Sequence, residues 1–264
     1  MEFGFLLGPP DGRYLSRGEP DTVIVLRTQG APQRGVFRGR SPRRREAADV
    51  EPVPTSRVTV VRATPFQSHD EAEAWLGALR KERDALVREA ADAARQVNRF
   101  LRAHRAAATD PYAREISPEH ALVVRVGYGD GDQVAEGQYA AAYELPRKPA
   151  VSRRREDLSP AERLAALMGG RDEQLACEEL VLRARADLDA GRPREAALQA
   201  RVALEAALAE LGEDAAGLAA DRGPVGDAAN AALAGDPEEE LQEAVTQAVA
   251  RMEFALRKRR LRRV

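Results

Sequence analysis

The residues best suited to chemistry in this sequence follow an apolar run that ends near Val126. The segment Val126-Gly-Tyr-Gly-Asp-Gly-Asp132 alternates three glycines with larger residues and carries two aspartates. A glycine-rich loop between a strand and a helix can cradle a phosphate. Here the spacing is G-x-G-x-G, and the two carboxylates would repel a phosphate unless a divalent cation intervened. Val134 and Glu136 do not continue the ligand pattern of a calcium loop. The segment therefore favours a plain turn.

A second candidate pairs arginine with histidine on a strongly helical segment, where Arg99 and His104 stand five positions apart. This R-x4-H spacing resembles that of the HEPN ribonucleases, which act within helical bundles. The resemblance implies RNA cleavage with Arg99 and His104 at the site. Phe100 stands where that motif usually carries a polar residue. Because arginine is so frequent in this chain, the competing interpretation makes His104 a packed or half-exposed residue at the end of a helix.

Metal and thiol chemistry have little support. His69 and His120 form no pair with helical metal-ligand spacing, and one cysteine cannot build a thiolate metal site. Cys177 shares a helical face with Val181 and Ala184, which indicates a small core residue. We therefore expect no metal and no cofactor, and the sequence favours a protein that is not an enzyme.

Arginine clusters carry the strongest remaining functional signal. Only three of the 41 basic residues are lysine, so the positive charge is almost entirely guanidinium, which suits bidentate recognition of phosphate. The predicted polyanion-binding residues are Arg38, Arg40, Arg43, Arg44, Arg45, Arg257, Arg259, Arg260, Arg262 and Arg263. The competing interpretation pairs these arginines with the acidic remainder of the chain, or uses those at 257–263 to complement the carbonyl end of a final helix.

The strands that would position these residues are visible as β-branched runs. Such runs predict strands at 22–28, 56–63 and 121–127. After the third strand we predict a short helix that carries three apolar residues on one side, Val134, Ala141 and Leu145. The segment 34–54 has little apolar periodicity and contains three prolines, which indicates a flexible basic loop.

One long helix is predicted over 69–108. It opens at a capping box formed by Ser68 and Glu71, and it closes before Pro111. Its apolar seam follows alternating steps of four and three residues, and a rod of this length would span roughly 60 Å. Because that seam is too long for one small sheet, we expect it to meet another helix or a partner.

The second half of the chain reads as helix throughout. The predicted helices lie at 159–169, 172–190, 193–211, 214–221, 225–234 and 237–261. The pair 172–211 resembles a tetratricopeptide-type helical hairpin, with alanine at the positions that need small residues: Ala184, Ala196, Ala200 and Ala203. That resemblance implies an antiparallel hairpin. No second copy at a 34-residue period is visible, whereas a repeat array needs at least three.

Composition sets the fold class. Hydrophobic residues are 44% of the chain and aromatics only 5%, which suits helix packing with alanine, leucine and valine. We predict an α+β, mainly α fold. Residues 1–150 form a small β-sheet domain with the long helix 69–108 and the basic loop 34–54. Residues 151–264 form an all-α helical-hairpin or bundle domain with a basic C-terminal tail.

No segment approaches the ~20 apolar residues of a membrane helix, so we expect a cytoplasmic protein without membrane contact. The leading hypothesis is a non-enzymatic interaction or scaffold protein that works through self-association or a protein partner. The alternative is a nucleic-acid-associated protein that uses the arginine-rich segments 34–45 and 257–264.

Overall fold

The computed structural model describes residues 7–18, 20–30, 54–146 and 160–262. The chain divides into two compact units, Met1–Pro149 and Ala150–Val264. The described residues form eight α-helices and two small antiparallel sheets, which confirms the predicted α+β, mainly α class. No helix among them is both long and apolar enough to cross a bilayer. The predicted basic loop at 34–54 lies outside the described residues except for Pro54.

A three-stranded antiparallel sheet with the order β1-β2-β3 begins the first unit. Its strands are β1 (Gly12–Ser16), β2 (Thr22–Gln29) and β3 (Thr55–Arg62). The positions of β2 and β3 confirm the predicted strands at 22–28 and 56–63. Sequence reasoning did not find β1, because its five residues follow directly on turn signals. Ile24, Val25 and Leu26 of the central strand are almost fully buried, as an apolar run covered on both faces requires.

The predicted single helix over 69–108 is wrong, because the chain forms two helices, α1 (His69–Lys81) and α2 (Arg83–Ala108). Between them Glu82 is extended, with φ −116° and ψ 96°. Neither a proline nor a glycine stands at this break. The physical reason is that the two helices pack on different sheets: α1 packs against the second sheet, whereas α2 packs against β3. The break lets α1 and α2 each turn an apolar side towards the sheet on which it packs. It also leaves Arg83 exposed.

The apolar seam is covered within the first unit. The buried seam residues are Ala72, Leu76, Leu79, Leu86, Ala90 and Val97. On α1, Ala72 and Leu76 pack with Tyr128, and Trp75 packs beside them. On α2, the ring of Phe100 lies 4.6 Å from that of Tyr14 on β1. The seam therefore needs no second long helix, and self-association would have to use another surface.

The second sheet corrects two further predictions. It is a hairpin of β4 (Arg125–Tyr128) and β5 (Ala141–Glu144), joined through the five-residue helix α3 (Gly131–Ala135). The third strand therefore begins at Arg125 rather than at 121. The short helix does not reach Ala141 and Leu145, because Gly137 adopts a left-handed φ of 77° and ends it.

The second unit is helical throughout its described part. Its helices are α4 (Pro160–Met168), α5 (Ala176–Asp189), α6 (Pro193–Glu210), α7 (Arg222–Ala234) and α8 (Glu239–Arg262). Short 3₁₀ turns at 212–215 and 219–221 replace the predicted helix at 214–221. Helices α5 and α6 form the predicted antiparallel hairpin, with Gly191 in the left-handed region at its turn. Helix α8 packs against α5, α6 and α7.

Small residues allow these helices to approach closely. Six alanines on α5 and α6 have 0% exposed surface: Ala184, Ala196, Ala197, Ala200, Ala203 and Ala207. Larger side chains from α8, including Val249 and Met252, fill the remaining space. The face of α8 that carries Met252 is consequently fixed against the bundle, and this determines which of its arginines point away from it.

Candidate functional site

The basic end of α8, which we define as residues 257–262, contains the described part of the predicted polyanion site. Its orientation is set by the buried residues Met252, Ala255 and Leu256. Helical periodicity then directs Arg259 towards the bundle and Arg257 away from it. The same cluster therefore contains arginines in two different environments.

Two of the predicted arginines serve the fold. Arg259 donates from Nη1 to the carbonyl oxygen of Glu210 at the end of α6, at 3.0 Å. This bond satisfies one of the carbonyls that a helix end leaves without a partner. Arg260 donates from Nη2 to Oε1 of Glu178 at 3.2 Å. The Arg260 contact fits the competing interpretation, in which these arginines pair with acidic residues of the chain. The Arg259 contact is with the carbonyl end of α6 and not with that of the final helix.

Glu178 is the centre of a largely buried ionic cluster. Its side chain is 8% exposed, and it accepts two hydrogen bonds from Nη2 of Arg163, at 2.6 and 2.8 Å. It also accepts from the backbone N–H of Leu175 at 3.3 Å, at the start of α5. The carboxylate thus holds α4, the start of α5 and the end of α8 together through Arg163 and Arg260.

The outward face of the same helix end is different. Arg257 and Lys258 are exposed, and Phe254 is 65% exposed. These residues lie at i, i+3 and i+4, so they share one helical face. Of the basic side chains described between 162 and 260, Arg257 and Lys258 are those without a hydrogen bond or an ion pair to another described residue. An exposed aromatic ring therefore stands beside two unpaired cations.

The rest of the predicted polyanion site is not described. Arg38, Arg40, Arg43, Arg44 and Arg45 lie outside the described residues, as does Arg263. Arg262 ends α8. Among the predicted arginines, the side chains of three are described, all at this helix end: Arg259 and Arg260 bind within the fold, and Arg257 faces outward.

A second arginine cluster, in the first unit, was not predicted. We call it the sheet arginine cluster and define it as Arg13, Arg27 and Arg57 around Glu136. Arg27 donates to Glu136 from Nε and Nη2, at 3.3 and 2.8 Å, and Arg13 donates from Nη2 at 3.2 Å. Arg13 also donates from Nη1 to Asp132 at 2.8 Å. These hydrogen bonds, those from Arg27 first, hold the pKa of the Glu136 carboxyl below its usual value.

Strand pairing explains why these residues meet. Arg27 on β2 stands directly opposite Arg57 on β3, and Arg13 on β1 stands opposite Val25, two residues before Arg27. Side chains two residues apart share a face of a sheet, so all three arginines lie on one face. The sequence did place two of these arginines, Arg27 and Arg57, within predicted strands. It did not show the register between those strands, which brings the two residues together.

Two other candidates, Cys177 and Asp130, have structural roles. Cys177 is fully buried, and burial first, then Glu210, raises the pKa of its thiol to about 12. Such a thiol is a poor nucleophile. Asp130 caps α3 by accepting the N–H of Asp132 at 3.1 Å, as in a plain turn. Nowhere in the described ranges do three or more His, Cys, Asp or Glu residues form a group that could hold a metal ion.

The R-x4-H pair does not form a joint site. Arg99 is exposed and His104 is half-buried on α2, and five residues along an α-helix correspond to a rotation of about 140°. The imidazole of His104 lies against the backbone of Gly8, so that a Cβ atom placed on this glycine would be 3.8 Å from Nε2. The interpretation of His104 as a packed residue accounts for this position.

Comparison of the chain with protein-family models, with curated proteins and with solved structures finds no match.

Proposed function

We propose that the protein is a non-enzymatic binding protein that contacts single-stranded nucleic acid through the outward face of the basic end of α8. The observation that carries the proposal is the exposure of Phe254 beside Arg257 and Lys258, both without internal partners among the described residues. Aromatic rings that stack on bases, next to cations that follow the phosphates, are the usual means of binding single strands without sequence preference.

The contacts of Arg259 and Arg260 within the fold support the assignment of nucleic-acid binding to the outward face of this helix end. Their contacts with Glu210 and Glu178 anchor the helix end, so a nucleic acid would meet a face that is already ordered. Preorganisation reduces the entropy lost on binding. The proposal therefore involves Arg257 and Lys258 directly, and Arg259 and Arg260 only as supports.

The experiment measures fluorescence anisotropy of labelled single-stranded RNA and DNA, at low and at moderate salt. Binding should weaken as salt rises, with a slope of about −0.7 for each phosphate contact. Replacing Arg257 and Lys258 together by serine should reduce that slope by about 1.4. Phe254→Ser should weaken binding by about tenfold, as the loss of one stacked base predicts.

The matched control is the double variant Arg183→Ser with Arg222→Ser. It removes the same formal charge from two exposed ion pairs of the second unit, where the arginines are 61% and 55% exposed. This control should leave both affinity and salt slope near those of the unmodified protein. Equal losses in the two double variants, or binding to anionic lipid vesicles without binding to nucleic acid, would overturn the proposal.

A second candidate function, self-association or binding of a protein partner, is favoured by an apolar strip on α6. Leu198 and Val202 are 40% and 55% exposed, and they lie one turn apart on the side opposite the buried alanines. Light scattering at high concentration tests self-association, which Val202→Glu should abolish. A strict monomer that captures no partner through this strip would remove this candidate.

A further inference from the structure

The sheet arginine cluster has more hydrogen-bond donors than the fold uses. The guanidinium group of Arg57 makes no hydrogen bond to a described residue, and its paired carboxylate oxygen, Oε2 of Glu136, is 4.0 Å from Nη2. Its Nε atom is buried without a partner among the described residues. Leaving a buried donor unpaired is costly, and the cost is greater when the group is charged. Arg57 is therefore the incomplete member of the cluster.

The charge balance points in the same direction. Arg27 and Arg57 are like charges directly opposite one another on neighbouring strands, an arrangement that destabilises a sheet unless an anion lies between them. Glu136 and Asp132 supply two negative charges against three positive ones, and Asp132 is 86% exposed and bound to Arg13. One positive charge remains, and it belongs to the guanidinium without hydrogen bonds to the described residues.

Glycine at position 137 lets the Arg57 guanidinium lie close against the backbone that follows α3. A Cβ atom on Gly137 would lie 2.7 Å from Nη1 of Arg57, so any other residue there would press on the guanidinium. The Arg57 side chain is 31% exposed and that of Arg27 is 30% exposed. Both side chains are thus partly shielded from water, and such shielding strengthens hydrogen bonds from a guanidinium to an anion. The exposed part of each side chain can still be reached by a small ligand.

We propose that the sheet arginine cluster binds a phosphate group, with Arg57 as its principal donor and Arg27 and Arg13 beside it. Glu136 holds Arg27 and Arg13 in place and competes with the phosphate for the same guanidinium groups. A planar guanidinium can donate two parallel hydrogen bonds to one phosphate, which a lysine cannot do. Free phosphate, a mononucleotide and a nucleic-acid backbone all share this chemistry, and separate titrations distinguish them.

The test titrates the full chain with inorganic phosphate, with AMP and with a single-stranded oligonucleotide at constant ionic strength, and follows binding by NMR shifts and by calorimetry. Arg57→Gln should weaken inorganic phosphate binding by about tenfold. The matched control is Arg83→Gln in the same unit, which removes an exposed arginine whose side chain makes no hydrogen bond to a described residue. That variant should bind phosphate as the unmodified protein does.

Glu136→Gln provides an independent outcome. Removing the competing carboxylate should strengthen inorganic phosphate binding by about tenfold, whereas a purely structural ion cluster would show no gain. No phosphate binding by the unmodified protein, equal binding by Arg57→Gln, or no gain in Glu136→Gln would each overturn the proposal. A different result is that the unmodified protein binds AMP or the oligonucleotide more tightly than inorganic phosphate. If Arg57→Gln loses that tighter binding, the result supports the proposal and identifies the source of the phosphate. Because Arg257 and Lys258 stay intact in these variants, the result is separate from that for the basic end of α8.

Discussion

Glu178→Gln tests whether the buried ionic cluster holds the second unit together. The substitution keeps the size of the side chain but removes its charge, so Arg163 and Arg260 lose their shared carboxylate. Breaking a fully buried ion pair costs about 3–5 kcal/mol. Arg260 is 44% exposed and can be rehydrated, whereas Arg163 is only 20% exposed. We therefore expect the free energy of unfolding of this unit to fall by about 2–3 kcal/mol.

Urea unfolding followed by circular dichroism at 222 nm measures this loss, and a thermal melt should show a decrease of about 10 °C. The matched control is Glu205→Gln on α6. Glu205 pairs with Arg222 in a salt bridge whose two side chains are 53% and 55% exposed, so its loss should cost less than about 1 kcal/mol. If the two variants lose the same stability, the cluster around Glu178 does not have the importance that its burial indicates.

The remaining predictions concern the two cores and the titration of one carboxyl. Leu86→Asp should lower the free energy of unfolding by about 4 kcal/mol, because Leu86 is 3% exposed; the neighbouring Val87→Asp, at a position 41% exposed, should cost much less in the same urea titration. The thiol of Cys177 should not react with a chromogenic disulfide reagent at pH 8 until urea unfolds the protein, since burial raises its pKa to about 12. Glu136 has a lowered pKa in the folded state, so its stabilising effect is complete above its unfolded pKa and is lost as the pH falls through its folded pKa. The difference in urea midpoint between the unmodified protein and Glu136→Gln should therefore shrink on going from pH 7 to pH 3, and a constant difference would contradict the pairing with Arg27.

The arginines of this chain illustrate how little a cluster in sequence says about its use. Arg257 and Arg260 are three positions apart, yet one is exposed without a partner among the described residues while the other donates to a carboxylate that is 8% exposed. The opposite case is Arg57, which lies far in sequence from Arg13 and yet shares a face of the sheet with it. Polyanion binding therefore has to be judged from partners and exposure, and the number of arginines in a segment is a poor guide.

Local signals in the sequence predicted most of the individual elements. Strands β2 and β3 follow from runs of β-branched residues, and Ser68 begins α1 by accepting the N–H of Glu71 at 3.2 Å. The turn between α5 and α6 lies at Gly191, where a left-handed residue ends the first helix. These features depend on residues close to one another in the chain, so the sequence alone contains their cause.

Other features depend on contacts between elements that are distant in the chain. The break at Glu82 has no proline or glycine to announce it and exists because α1 and α2 pack on different sheets. Likewise, Glu136 meets Arg13 and Arg27 only after three strands and α3 have been brought together. From the sequence alone one could predict a mainly helical α+β protein with small-residue helix contacts, in which nearly all basic residues are arginine. Which guanidinium groups are paired, and which remain available to a ligand, depends on contacts between residues distant in the chain, and those follow from the packing of whole elements.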